Sequence, residues 1–151
     1  MSSNDTNNSP VDVRGPRFAA WVTTAVLIGV LVLFAFSPVA ATVLLAGQAV
    51  VFAVGALVGP RRHPYGVLFA KLVAPRLSPV TEREPVEPLR FAQFVGLIFA
   101  VVGLAGLLVA PVVGLAAAAL ALTAAFLNAA FGICLGCQLY PLAVQLRPTR
   151  A

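Results

Sequence analysis

Apolar residues along this chain fall into four long runs, at 18–36, 39–58, 91–109 and 112–133. The hydrocarbon core of a bilayer asks for about 20 apolar residues per spanning helix, so each run is long enough to cross once. Ser37-Pro38 leaves room only for a tight turn between the first two runs, and Pro111 does the same between the last two. Gly59-Pro60 stops the second run. Runs joined so closely must be antiparallel neighbours. The pattern predicts an all-α polytopic membrane protein with four transmembrane helices in two antiparallel pairs. The first run is too long for the core of a cleaved leader, and Ala35-Phe36-Ser37 is a poor cleavage site, so it is read as a retained span.

Between the two pairs the pattern changes. The loop 59–90 holds Arg61, Arg62, Lys71, Arg76, Arg83 and Arg90, all three glutamates (Glu82, Glu84, Glu87) and six prolines. Over 65–77, Val67, Leu68, Phe69, Leu72 and Val73 share one broad face with Lys71 and Arg76 off it. This predicts an interfacial amphipathic helix, with Arg61, Arg62, Lys71 and Arg76 at the membrane surface reaching anionic headgroups. Residues 78–88 are too rich in proline for a helix and read as an extended loop. Residues 1–12 read as a disordered polar tail, and 13–148 as one four-helix membrane domain.

Composition agrees: of 151 residues 60% are hydrophobic and only 10% charged, well below the quarter or so of a soluble domain. The net charge of +5 raises the question of nucleic acid. The basic residues lie at the ends of apolar runs and are not interleaved with aromatics, so topology accounts for them and no nucleic-acid partner is expected. They also fall on one side: Arg14 and Arg17 before the first span, six in the loop 59–90, Arg147 and Arg150 after the fourth. The positive-inside rule then predicts a bacterial inner (plasma) membrane protein with both termini cytoplasmic.

No Asp, Glu, Lys or Arg interrupts the spans, which argues against an ion-coupled carrier. The polar residues at span depth are Thr23, Thr24, Thr42, Gln48, Gln93, Thr123 and Asn128, for which interhelical hydrogen bonds or threonine back-bonding are the ordinary roles. In the fourth run Ala117, Ala121, Ala125 and Ala129 recur every fourth residue, with Asn128, Gly132 and Gly136 in a second row. Gly55 and Gly59 stand four apart in the second run. Small residues so spaced let helices approach closely in lipid.

The only two cysteines stand in Cys134-Leu135-Gly136-Cys137, where the last run meets its polar end. Three residues apart on a helix, they share a face within disulfide reach. Thiol exchange or sulfur transfer by Cys134 and Cys137 is read ahead of simple packing as small apolar residues, and metal binding comes third. Placed at the C-terminal end of a long helix, the pair would feel a dipole that raises thiol pKa. A closed metal site takes four ligands, and this chain offers two cysteines and one histidine, so no metal and no cofactor is expected. His63, between Arg62 and Pro64, reads as a solvated loop histidine that would serve as a proton acceptor only if the loop folds back. Asn128 lies under two turns before Cys134, and Tyr140 follows the pair closely; both are supporting candidates.

Asp12-Val13-Arg14-Gly15-Pro16-Arg17-Phe18, then Arg90-Phe91-Ala92-Gln93, then Cys134-Leu135-Gly136-Cys137-Gln138-Leu139-Tyr140 resemble the bacterial family known as domain of unknown function 4395, over roughly 12–148. The resemblance implies a small membrane protein of a kind common in actinobacteria, and it supplies no mechanism. Association of that family with thioredoxin-like and sulfurtransferase genes is consistent with a dithiol role. The expected function is a membrane-anchored thiol-disulfide or sulfur-transfer component with a cytosolic thioredoxin-like or sulfurtransferase partner. The alternative is a non-catalytic structural subunit or assembly factor packed among other membrane-complex subunits.

Overall fold

A computed structural model describes residues 9–147. A two-residue strand β1 (Val11–Asp12) precedes α1 (Arg14–Phe36) and α2 (Pro38–Val58). A short α3 (Pro64–Leu68) runs into a wider π turn (Phe69–Val73) and a 3-10 turn (Ala74–Arg76). Strand β2 (Arg83–Glu84), α4 (Val86–Val109), α5 (Pro111–Phe131) and α6 (Leu135–Gln145) complete the chain. Helices α1, α2, α4 and α5 are each long and apolar enough to cross a membrane, so the all-α, four-span reading holds.

The four spans form a closed ring, each packing on two neighbours in the order α1, α2, α4, α5. Leu27, Val30, Leu45, Phe52, Ala100 and Leu107 fill its centre. Ile28, Val43, Val50, Ile98, Val101 and Leu120 face outward, where lipid is the natural solvent. Of the predicted alanine ridge, Ala117, Ala121 and Ala129 are buried, as is Ala118 beside them. Ser37 closes the first turn by accepting the Ala40 N–H at 3.2 Å, and Pro38 and Pro111 occupy the first helical turn where no N–H is missed. The α4–α5 hairpin is tighter still. A Cβ on Gly106 would stand 2.6 Å from the Gly114 Cα, and one on Gly114 would stand 2.8 Å from the Gly103 carbonyl oxygen. The expected threonine back-bonds are present at Thr24, Thr42 and Thr123, each donating to the carbonyl four residues earlier.

Three boundaries differ from expectation. The predicted tail lies mostly outside the described residues, and its end, Val11–Asp12, pairs antiparallel with Arg83–Glu84. Asp12 accepts the Arg14 N–H at 3.0 Å and is ion-paired with the Arg14 guanidinium at 2.8 Å, so α1 starts four residues earlier than its apolar run. Arg14 also donates to the Ser78 carbonyl, tying the loop to α1. At the start of α4, Pro88 is helical, because proline within a first turn forfeits no hydrogen bond. The segment 65–77 is helical but changes pitch twice. Pro75 cannot continue an α ladder, and Phe69 turns inward onto Gly15 and the Phe18 ring (centroids 5.8 Å apart). Leu68 and Leu72 stay exposed beside Lys71 and Arg76.

Candidate functional site

Helix α5 stops before the cysteines. Gly132 takes the left-handed conformation (φ 70°) that favours glycine, and the N–H groups of Gly132 and Ile133 close on the carbonyls of Asn128 and Leu127. The chain restarts at Cys134, which is the N-cap of α6. The expected continuous helix to 133 is therefore broken, and the dipole argument reverses. The pair lies at the positive N-terminal end of a helix, which favours thiolate. Cys134 and Cys137 are joined as a disulfide with Cα atoms 5.2 Å apart, and the Cys137 N–H points to Cys134 Sγ at 3.3 Å. Helix α6 runs through Pro141.

Two contacts seat α6 on α4. A Cβ on Gly136 would be 2.6 Å from the Ala92 Cα, so the glycine inside the cysteine pair is what allows the close approach. Tyr140, one turn on, packs its ring against Phe91, tilted by 59° with centroids 5.8 Å apart. The contact joins α6 to α4.

Beside Cys134 lies a cavity of about 300 Å³ between α1, α4, α5 and α6. Its walls are mostly alanines and larger apolar side chains, with Thr23, Gln93 and Asn128 as polar groups. Asn128 lines the same cavity as Cys134. A directed hydrogen-bond chain ends here. The Tyr65 hydroxyl donates to Gln48 Oε1 at 2.8 Å, and Gln48 Nε2 donates to Thr23 Oγ1 across a long 3.5 Å. Gln48 and Thr23 are 2% and 6% exposed. Thr23 also lines the cavity, and accepting from Gln48 leaves its own O–H free to donate.

His63 is the clearest departure. Expected in solvent, it is 3% exposed, edge-on to the Tyr65 ring at 5.2 Å. The cause is Gly55, where a Cβ would fall 2.7 Å from both His63 Cδ2 and Gln93 Cγ. The missing methyl lets both side chains sit against α2. Burial lowers the imidazole pKa from 6.5 to about 4, with the neighbouring Gln93 amide opposing. Among the described residues neither His63 Nε2 nor Gln93 Oε1 has a partner in good hydrogen-bond geometry. His63 lines a second cavity of about 350 Å³ with Arg61 and Arg83, separate from the one at Cys134. The two cavities share Pro16, Ala19, Leu89 and Gln93 as walls, so His63 and the cysteines are not brought together.

Of the membrane-surface candidates, Arg62, Lys71 and Arg76 are exposed, and Arg61 donates to the Ser9 and Pro10 carbonyls. Two arginines that topology alone had explained have a further task. Arg17 donates to the Ala129 carbonyl at 3.3 Å, near the end of α5. Arg90 donates to the carbonyls of Ala56 and Leu57 at 3.1 and 2.9 Å, at the end of α2. Each guanidinium satisfies carbonyls where the neighbouring helix dipole is negative. Their position at the mouth of a span was the signal. Among the described residues no three of His, Cys, Asp and Glu gather at one point.

The profile of the family described as domain of unknown function (DUF4395) matches residues 11–145. No curated protein and no solved structure matches the chain.

Proposed function

The chain belongs to the DUF4395 family, and from that premise we propose that it is a membrane-anchored thiol-disulfide exchange component working through Cys134 and Cys137. The observation that carries this reading is that Cys134 caps the N-terminus of α6, with the Cys137 N–H aimed at its sulfur. That field and that donor favour a Cys134 thiolate, which makes Cys134 the attacking residue and Cys137 the resolving one. In the reduced state the Cys134 thiolate attacks a partner disulfide, forming a mixed disulfide and releasing one partner thiolate. The Cys137 thiol loses its proton and attacks Cys134 Sγ, closing the 134–137 bond and releasing the second partner thiolate. The reverse sequence reduces the pair.

The basic residues Arg14, Arg17, Arg62, Lys71, Arg90 and Arg147 belong to the end of the bundle that carries the pair. By the positive-inside rule that end, with both termini, faces the cytoplasm of a bacterial inner membrane. A thioredoxin-like protein is the natural partner there. The test is acid quenching of intact cells followed by alkylation, with an impermeant maleimide on whole cells and inverted vesicles. Labelling from the cytoplasmic side only, and a redox state that shifts with growth conditions, is the expected result. A Cys134→Ala, Cys137→Ala double variant that supports every cellular role of the parent would leave a structural subunit as the better reading.

A further inference from the structure

We infer that the cavity beside Cys134 is a binding site for a lipid-soluble quinone, the two-electron partner of the cysteine pair. The inference rests on the exchange reading and adds the second substrate. The cavity borders the cysteine pair, since Cys134 is one of its walls. It lies between apolar spanning helices and is lined mainly by small and apolar side chains, so its occupant comes from the bilayer rather than from water. Its polar groups are few and specific. The Thr23 hydroxyl, 6% exposed, already accepts from Gln48 and so offers a donor. The Gln93 amide also lines it. A hydroxyl donor in an otherwise apolar wall suits an acceptor oxygen on an apolar body, which a quinone carbonyl supplies. Among the described residues no charged side chain lines the cavity, which fits a neutral ligand.

The reaction balances without further reagents. The Cys134 and Cys137 thiols lose two protons and two electrons as their S–S bond forms. The quinone takes both, its two carbonyl oxygens becoming the hydroxyls of the quinol.

The test uses the full chain in detergent, reduced and freed of reductant, with decylubiquinone as the probe. Its ring is fully substituted and closed to thiol addition. The expected result is saturable reduction of one quinone per chain, coupled to loss of two free thiols, at least about tenfold faster than with the Cys134→Ala, Cys137→Ala variant. Thr23→Val should raise the half-saturating quinone concentration roughly fivefold, the cost of about one neutral hydrogen bond, and Thr23→Ser should restore it. Ala124→Leu, which narrows the cavity from α5, should also weaken saturation, so the test does not hang on Thr23. Oxidised thioredoxin is run alongside. Thiol oxidation by thioredoxin with no quinone reduction above the cysteine-free control would overturn the quinone site and leave the exchange reading standing. No oxidation by either would overturn both. Quinone reduction indifferent to Thr23→Val and Ala124→Leu would overturn the assignment to this cavity.

Discussion

At neutral pH the His63 imidazole is uncharged, because its surroundings hold its pKa near 4. The unfolded chain binds that proton below about 6.5 and the folded one does not, so folding loses stability as pH falls from 6.5 to 4. Roughly 3 kcal/mol is the ceiling for this one group. Glu84 acts in the opposite sense: burial raises its pKa, so its protonation on acidification favours the folded state. His63→Gln isolates the two. The thermal midpoint of the parent in detergent should drop between pH 7 and 4, and the variant's should drop much less. An equal drop in both would place the acid sensitivity elsewhere. None of this was legible in Arg62-His63-Pro64, since what buries the ring is a missing Cβ on Gly55 and the neighbouring amide of Gln93. Gly55 was legible as a close-packing residue. What it makes room for was not.

The four long helices could be read from the chain because each apolar run matches a bilayer and each pair is punctuated by proline. The break before the cysteines could not, because Phe131, Ile133 and Leu135 keep the run apolar while the backbone turns at Gly132. Glycine inside an apolar helix and glycine at its end look alike in one sequence. The turn is the element on which the proposed exchange depends. Gly132 has open space around its missing Cβ, so alanine there meets only backbone strain at φ 70°. Gly132→Ala should cost about 1–2 kcal/mol of stability. It should also slow alkylation of reduced Cys134, as the helix is drawn past 132 and the sulfur leaves its N-cap position. Thermal unfolding and a thiol-alkylation rate read the two effects separately. An unchanged alkylation rate would mean that the N-cap field contributes little.

At the scale of the molecule, the bundle is held by unlike means at its two ends. The basic end is tied by Arg17 and Arg90 across to neighbouring helix carbonyls and by the β1–β2 pair. The other end is held by two tight turns and by the contact of α4 with α5 at Gly106 and Gly114. Gly114→Ala should force those helices apart and cost about 1–3 kcal/mol, read as a lower thermal midpoint with the cysteine pair still formed. A midpoint equal to the parent's would mean the hairpin gives way freely. The uncharged turns also govern how the protein is made. During synthesis each hairpin has to send one end across the hydrocarbon, and a lysine or arginine at the centre of that crossing costs about 2.5–3.5 kcal/mol. Ser37-Pro38 and Ala110-Pro111 carry no charge across. Each pair of spans can therefore insert as a unit without carrying a charged turn through the hydrocarbon.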